Sequence, residues 1–494
     1  MALEYGEARG RWVLATAVLG SAMVFVDGTV VNVALPHIGS GLDASLSGLT
    51  WTVNGYALTL ASLILLGGSL GDRFGRKRVF IVGVVWFAVA SLLSGLAPDV
   101  ETLIAARALQ GVGGALLTPG SLALLQASFR ATDRARAIGA WSGLAGIAGA
   151  AGPFLGGWLV EVTSWRWIFL VNLPLAVAVV AMAVRHVPES RDLGASHSVD
   201  VVGAVAGAVG LGALTEGLIA WQDTGLGSVR VLGPLVIGAL ASAAFLLHER
   251  RAAEPMLPLG IFASRVFSAT NAVTFVVYAA LGGVFFWLVL FLQVAAGFAP
   301  MSAGLALVPL TLLMLLLSPQ AGALATRVGP RLPMTVGPLL CAVGVGLLSQ
   351  LPRHASYPVD VLLPMVLFGL GLSATVAPLT ATVLAAAPDE HAGLASGVNN
   401  AVARVGGLLA VAVLPLIAGL HGEGYARADL LVGPYRTAMV WCTALLVLGG
   451  LLSWAFVHDG VRASEDRSCP LNAPPLQDCP TGARPPDTPQ PAST

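Results

Sequence analysis

Long apolar stretches separated by short polar segments cover most of the chain. They fall at approximately residues 12–34, 49–70, 79–97, 102–125, 137–160, 167–185, 200–220, 231–247, 267–292, 302–324, 333–350, 360–385, 393–419 and 438–457. Each has roughly the 20 residues that an α-helix needs to cross the hydrocarbon core of a bilayer. The pattern predicts an all-α polytopic membrane protein with about 14 transmembrane helices, called spans 1 to 14 in chain order.

The composition agrees with this interpretation. The 494 residues are 56% hydrophobic and 11% charged, with a mean hydropathy of +0.82, whereas a soluble domain has about 25% charged residues. A soluble, disordered, nucleic-acid-binding or disulfide-rich protein is therefore excluded. The 26 basic residues balance the 26 acidic ones, so net charge indicates no anionic partner and no nucleic acid.

The positions of the basic residues predict the orientation. About 19 Lys and Arg fall in the N-terminal arm, the even-numbered connections and the tail, and about 5 in the opposite loops, as the positive-inside rule requires. Both termini are expected in the cytoplasm, with the chain in the plasma membrane. The use of one Lys against 25 Arg suggests a GC-rich bacterial genome.

The chain also contains an internal repeat. The segment Gly68–Lys77 has a weaker copy 254 residues later, at Gly322–Arg331. Two repeated halves with a site between them are typical of transporters. The expected organisation is a cytoplasmic arm (1–11), a six-helix half (12–190), a two-helix insertion (191–255), a second six-helix half (256–458) and a disordered Pro-rich tail (459–494).

Four charged residues lie inside the apolar stretches, namely Asp27, Arg107, Glu216 and Arg404. An ionisable side chain inside a bilayer is costly and is a functional candidate by default. Asp27 and Arg107 lie about equally deep, roughly 10 Å below the outer surface at 1.5 Å per residue, so they could meet. The pair suits proton coupling, because burial disfavours an ionised aspartate while a guanidinium favours it; the alternative is a static ion pair that fixes helix packing.

Two spans have further patterns. Span 13 carries Ser396, Asn400 and Arg404 at four-residue spacing, a polar stripe expected to face a cavity rather than only to bond a neighbouring helix. Span 5 is rich in Gly at spacings of three and four and contains Pro153. This pattern fits tight packing, a hinge and seal, or both.

Nothing in the chain indicates a cofactor. It has no GxxxxGK[ST] nucleotide-binding loop. Its eight His fall in loops or at span ends, so they cannot serve as ligands of a haem or metal inside the membrane. We expect no metal, no cofactor and no enzymatic activity, with a membrane enzyme or receptor as the disfavoured alternative.

Five segments in order resemble the major facilitator superfamily, specifically its 14-span drug:proton antiporter branch. They are Phe25–Pro36 in span 1, Gly68–Lys77 between spans 2 and 3, Arg107–Gly114 in span 4, Gly152–Gly157 in span 5 and Trp165–Pro174 before span 6. The resemblance covers nearly all of the chain up to the tail. It implies a major facilitator fold and transport that is driven by the proton gradient.

The resemblance also implies roles for individual residues. Asp27 and Arg107 would couple transport to protons. Gly68, Asp72, Arg73, Gly75, Arg76 and Lys77, here called the loop 2–3 motif, would form a cytoplasmic gate, in which Asp72 faces the start of span 13. Gly152, Pro153, Gly156 and Gly157, here called the span 5 motif, would seal the cavity. In the second half Thr326 replaces the aspartate, so a weaker gate is expected there.

The predicted function is proton-coupled export of a drug or other toxic amphipathic compound by alternating access, by a chain expected to act as a monomer. A transporter of a specific metabolite or lipid, or an importer on the same fold, is the alternative. Candidate cavity residues are Phe25, Asn32, Tyr56, Trp141, Tyr278, Phe285, Gln293, Asn400 and Arg404.

Overall fold

The structure is a computed structural model that describes residues 3–191, 200–252, 255–386, 392–420 and 422–458. These residues form helices joined by short loops, with an isolated β-bridge between Leu3 and Phe129. Fourteen helices are long and apolar enough to cross a membrane, which confirms the predicted all-helical fold. The tail predicted to be disordered lies outside the described residues.

The first six spans pack together as one group. Their helices are Ala8–Leu42, Leu46–Phe74, Arg76–Gly95, Val100–Ser128, Ala131–Val162 and, for span 6, the consecutive helices Trp167–Leu170 and Asn172–His186. Most are longer than the apolar stretches that predicted them. Hydropathy marks only the part of a helix at hydrocarbon depth, whereas backbone hydrogen bonding continues into the polar flanks.

The other eight spans comprise the central pair and a second group of six. The pair is Val201–Thr224 and Val229–Arg251. The second group is Arg265–Val294; Pro300–Leu305 with Val308–Val328 as span 10; Arg331–Leu348; Leu362–Ala385 after a π-helical turn at Tyr357–Val361; Ala392–Ala418; and Ala428–Phe456. Short 3-10 helices lie at Leu259–Ala263 and Gly422–Ala426.

The helix ends follow from local side chains. Ser45 accepts a hydrogen bond from Gly48 N at 3.2 Å at the start of span 2, and Asp99 accepts one from Thr102 N at 2.8 Å at the start of span 4. These oxygens satisfy backbone donors that the first turn leaves without partners. Between spans 2 and 3, Gly75 has φ of +110°, a conformation that favours glycine.

The central pair is held together by a polar cluster at one end. Asp200 accepts a hydrogen bond from Gly203 N at 2.7 Å and lies 2.8 Å from His248 Nε2. Burial alone would raise the pKa of Asp200, but hydrogen bonds from Gly203, His248 and Met256 outweigh it and lower that pKa. Near the other end, Gln222 donates to the Ala412 carbonyl at 2.9 Å and attaches the pair to span 13.

Glycine allows the closest helix contacts. A Cβ at Gly113 in span 4 would lie 2.6 Å from Phe87 N in span 3, and one at Gly111 would lie 2.0 Å from Thr59 Oγ1 in span 2. Without hydrophobic exclusion of water between helices, membrane helices associate through such backbone-level packing. Spans 2, 3 and 4 are therefore locked against each other.

We predict that Gly113→Ala destabilises the protein by about 1–3 kcal/mol, because the added methyl group forces spans 3 and 4 apart. The midpoint of thermal unfolding of the purified protein in detergent measures this. Gly233→Ala is the matched control, since a Cβ there meets nothing within 4 Å. An equal midpoint for the two variants would contradict the assignment of Gly113 as a packing site.

Candidate functional site

Asp27 and Arg107 form an ion pair inside the first group of six spans. Arg107 Nη1 donates to Asp27 Oδ2, and the two side chains are 0% and 1% exposed. Asp27 lies in the middle of span 1 and Arg107 in the first half of span 4. The contact expected from their equal depth is present. Removing either charge alone would leave the other buried and unpaired, which is strongly unfavourable.

Further donors converge on the same carboxylate. Gln110 Nε2 donates to Asp27 Oδ1 at 2.7 Å, and Asn172 Nδ2 lies 3.4 Å from that oxygen. Gln110 and Asn172 also donate to Ser91 Oγ, at 3.1 and 3.0 Å. Sequence reasoning gave these three residues no role. The signal for Gln110 was its position one turn after Arg107, whereas only the fold brings span 3 and span 6 to the pair.

Arg107 is held on every side by groups that suit a guanidinium. Its Nε donates to the Thr52 carbonyl at 3.2 Å and its Nη1 to Gln110 Oε1 at 2.7 Å. Its Cζ lies 4.3 Å from the ring centre of Tyr56 and 5.5 Å from that of Phe169, within the range of cation–π attraction. The cluster joins five spans and contains ionised groups of both signs, with nearly every donor and acceptor used.

A large cavity lies between the two groups of six spans, with a volume of about 1260 Å³. Of the candidate residues from the sequence, its wall contains Phe25, Asn32, Trp141, Tyr278, Phe285 and Asn400. The wall is mostly apolar with a few polar groups, as is usual for sites that bind small organic molecules. Its volume exceeds the range of about 300–1,000 Å³ typical of such sites.

Three candidate cavity residues lie outside this wall. Tyr56 is 4% exposed and donates to the Val24 carbonyl at 3.3 Å, beneath Arg107. Gln293 donates to the Val33 carbonyl at 2.8 Å, between the two groups of spans. Arg404 is half-buried in span 13, one turn beyond Asn400. Glu216 is exposed on span 7 and accepts a hydrogen bond from Trp51 Nε1 at 3.0 Å.

The cavity reaches the loop 2–3 motif at one end, where Gly68, Asp72 and Arg76 are part of its wall. Arg76 and Asp72 form an ion pair at 2.7 Å. Lys77 Nζ donates to the Val184 carbonyl at 3.0 Å, so this basic residue contacts span 6 of its own half. The residues directly before span 13, which Asp72 was expected to face, lie outside the described residues.

Within the described ranges, Arg73 and Gly75 of the loop 2–3 motif also contact their own half. Arg73 is exposed, with its Cζ 5.2 Å from the ring centre of Phe74. Gly75 packs against Glu189, which a Cβ at Gly75 would approach to 2.8 Å. Of the whole motif, Gly68, Asp72 and Arg76 line the cavity.

The span 5 motif contacts the second half of the chain. A Cβ at Gly157 would lie 2.5 Å from the Pro300 carbonyl oxygen, and one at Gly304 would lie 2.2 Å from the Pro153 carbonyl oxygen. Span 5 and the start of span 10 therefore touch at backbone distance. A further bond links the halves on this side, from the Tyr425 hydroxyl to the Ala44 carbonyl at 2.6 Å.

The other glycines of the span 5 motif face span 1. A Cβ at Gly152 would lie 2.1 Å from Thr29 Oγ1, and one at Gly156 would lie 2.6 Å from Val30 Cγ2. One helix thus uses alternate small residues to contact its own half and the other half. Gly152 and Gly156 therefore pack against span 1 within the first half, whereas Pro153 and Gly157 contact the start of span 10 in the second half.

The arrangement supports proton binding and small-molecule binding at neighbouring places. Phe25, Thr29 and Asn32 of span 1 line the cavity, while Asp27 on the opposite side of that helix is enclosed. Among the described residues, no group of three or more His, Cys, Asp or Glu side chains is placed to hold a metal ion.

Sequence comparison finds bacterial relatives over most of the chain. The Tetracenomycin C resistance and export protein of Streptomyces glaucescens is 38% identical over 442 residues, covering 87% of this chain and 82% of the relative. The Methylenomycin A resistance protein of Bacillus subtilis is 37% identical, covering 94% and 98%. The Puromycin resistance protein pur8 of Streptomyces alboniger is 35% identical, covering 93% and 94%.

Solved structures share the fold at low sequence identity. A POT family transporter in complex with a thioalcohol-conjugated peptide has a TM-score of 0.67 at 12% identity, with 89% of this chain and 94% of that chain covered. The xylose transporter XylE from E. coli, in an inward open conformation, has a TM-score of 0.61 at 15% identity, with 90% and 96% covered. Residues 17–411 match the Major Facilitator Superfamily. The chain is therefore a multi-pass membrane transporter that belongs to the Major Facilitator Superfamily.

Proposed function

We propose that this protein exports drugs or other toxic amphipathic compounds from a bacterial cell in exchange for protons. The cavity between the two halves is the observation that carries the proposal, because it is large, mostly apolar and lies beside a buried ion pair. The names of the relatives add support, since they refer to resistance or export for three different antibiotics. The alternative is a transporter of one metabolite or lipid.

The proposed orientation places both termini in the cytoplasm and the chain, as a monomer, in the plasma membrane. The basic residues of the loop 2–3 motif support this, because positively charged loops remain on the cytoplasmic side. The cavity end that reaches Asp72 and Arg76 then opens to the cytoplasm, and the contact at Gly157 and Gly304 closes the outside. The conformation is inward-facing, ready to take a compound from the cytoplasm or the inner leaflet.

Asp27 is the proposed proton carrier. In the inward-facing state its carboxylate accepts hydrogen bonds from Arg107 and Gln110, and donors of this kind stabilise the ionised form. A proton is thus released while the cavity faces the cytoplasm, as export driven by inward proton flow requires. Separation of Arg107 from Asp27 in the outward-facing state would let the carboxylate, in apolar surroundings, take up a proton again.

Span 1 links proton binding to compound binding. Phe25 and Asn32 line the cavity, and Asp27 lies between them on the opposite face of the same helix. A bound compound that shifts span 1 therefore changes the distance between Asp27 and Arg107, which belongs to span 4. The Thr29 hydroxyl also donates to the Gly149 carbonyl of span 5 at 2.9 Å, so the movement reaches the span 5 motif.

The two motifs act as opposite gates in this proposal. The halves 12–190 and 256–458 rock against each other about the cavity, as in other two-repeat transporters. Opening to the outside separates Gly157 from the start of span 10, and closure on the inside brings Asp72 and Arg76 toward the second half. The ion pair between Asp72 and Arg76 at the cavity mouth has to break during this closure, so that both residues can contact the second half.

Expression of the protein in a sensitive bacterium tests the function directly. We predict that growth tolerates several-fold more of at least one of tetracenomycin C, methylenomycin A and puromycin, because export lowers the internal concentration. The minimum inhibitory concentration is the measurement, with and without a protonophore. Unchanged inhibition by the whole panel, together with transport of a single metabolite, would support the alternative.

We predict that Asp27→Asn abolishes proton release stimulated by an antibiotic that the wild-type protein exports. The amide keeps the size of the side chain but cannot exchange a proton. Everted vesicles with a pH gradient, followed with a pH-sensitive dye, give the measurement. Asp43→Asn is the matched control, since Asp43 ends span 1 in the left-handed conformation, which Asn also tolerates. Normal coupled transport by Asp27→Asn would remove this residue from the mechanism.

For the inner gate we predict that Asp72→Asn slows transport by about tenfold while equilibrium binding of the same antibiotic changes less than about twofold, since a conformational step rather than binding is affected. Uptake into everted vesicles and binding to purified protein are compared. Arg78→Gln is the control, because Arg78 is 69% exposed and lies 3.7 Å from Glu189, a surface pair of small energetic value. Loss of binding with normal conformational exchange would contradict the gate.

A further inference from the structure

Arg404 differs from the other buried arginine in the membrane. Among the described residues it takes part in no ion pair, and its Nε is buried without a hydrogen-bond partner. Arg107, by contrast, bonds a carboxylate, an amide and a backbone carbonyl. An arginine that served only to fix helix packing would be expected to be satisfied in the same way, because an unpaired buried charge is destabilising.

Arg404 lies one turn of span 13 beyond the cavity wall. Ser396 and Asn400 line the wall, and Arg404 continues their stripe by one more turn of span 13. Its guanidinium is within electrostatic range of the phenol groups of Tyr56 and Tyr278, and Tyr278 itself lines the cavity. The side chain is only half-buried, so part of it remains accessible next to that wall.

The other ionised groups at the cavity and behind its wall are neutralised. Asp72 and Arg76 pair with each other at the mouth, and Arg107 pairs with Asp27 behind span 1. The described part of the wall contains no further Asp, Glu, Lys or Arg. Among the described residues, Arg404 therefore adds one uncompensated positive charge just beyond the wall, within electrostatic range of Tyr56 and Tyr278, in a medium where charge attraction is much stronger than in water.

We propose that Arg404 binds an anionic group of the exported compound, such as a carboxylate or an acidic phenol or enol. The guanidinium forms paired hydrogen bonds to such a group, while the ring of Tyr278, which lines the cavity, contacts an adjoining aromatic or apolar body. The inference rests on the proposed export function and narrows it to amphipathic acids. Arg404 is then a residue that determines specificity, separate from the proton-carrying pair.

The experiment uses two probes of nearly equal shape, naphthoate and naphthamide, which differ in charge. Equilibrium binding to the purified full-length protein is measured without a proton gradient by quenching of the naphthalene fluorescence. The wild-type protein is expected to bind the carboxylate about tenfold or more tightly than the amide, as charge-assisted hydrogen bonding implies. Arg404→Gln should lose this preference while naphthamide binding changes less than about twofold, and Arg404→Lys should keep part of it.

Arg166→Gln is the matched control, since it also removes one positive charge but lies in the loop before span 6, where Arg166 donates to the Ala97 carbonyl at 3.0 Å. It should keep the wild-type preference. The inference is overturned if the wild-type protein does not prefer naphthoate, or if Arg404→Gln retains the preference. Retained naphthamide binding by Arg404→Gln shows that the variant is folded. Failure of proton-coupled export would appear in the vesicle assays and leave this binding preference unchanged.

Discussion

The structure of the first half depends on the burial of one carboxylate. An ionised aspartate at hydrocarbon depth is tolerated only if donors surround it, and Asp27 obtains them from Arg107 and Gln110 of span 4, with Asn172 of span 6 close by. Ser91 of span 3 joins the cluster through Gln110 and Asn172. Spans 1, 3, 4 and 6 are thereby held at one point, and any movement of span 1 changes the environment of this carboxylate.

The same constraint explains why the two faces of span 1 have different surroundings. Residues two positions apart in a helix point to nearly opposite sides, so Phe25 and Thr29 face the cavity while Asp27 faces the cluster. In the proposed mechanism, compound and proton therefore do not compete for one pocket. Span 1 links compound binding to proton binding in this proposal. The glycine-rich span 5 packs against span 1 at Gly152 and Gly156, closely enough to transmit small shifts. Arg404 adds a positive charge from the opposite half, one turn of span 13 beyond the cavity wall.

Several features were predictable because they depend on short-range sequence. The span count follows from the lengths of apolar stretches, and the equal depth of Asp27 and Arg107 follows from helical rise and loop positions. The glycine spacing of span 5 predicted close approach, which Gly157 makes to Pro300. Placement on the cavity wall was less predictable: Asn400 lies there, whereas Gln293 bonds the Val33 carbonyl between the halves. Whether a polar residue faces the cavity or a neighbouring helix depends on which spans pack together.

The sequence by itself determined that this chain crosses the membrane as helices. An apolar stretch of about 20 residues can satisfy its backbone hydrogen bonds inside a bilayer by forming a helix. It also singled out the few intramembrane charges as the residues to explain. Only the tertiary structure decided which of these charges are compensated. Arg107 and Arg404 look alike in sequence, each a lone arginine in an apolar helix, but span 4 lies against span 1 and its aspartate, while span 13 lies against tyrosines. The difference arises from helix packing between residues far apart in the chain, 80 positions for Asp27 and Arg107, which local sequence does not encode.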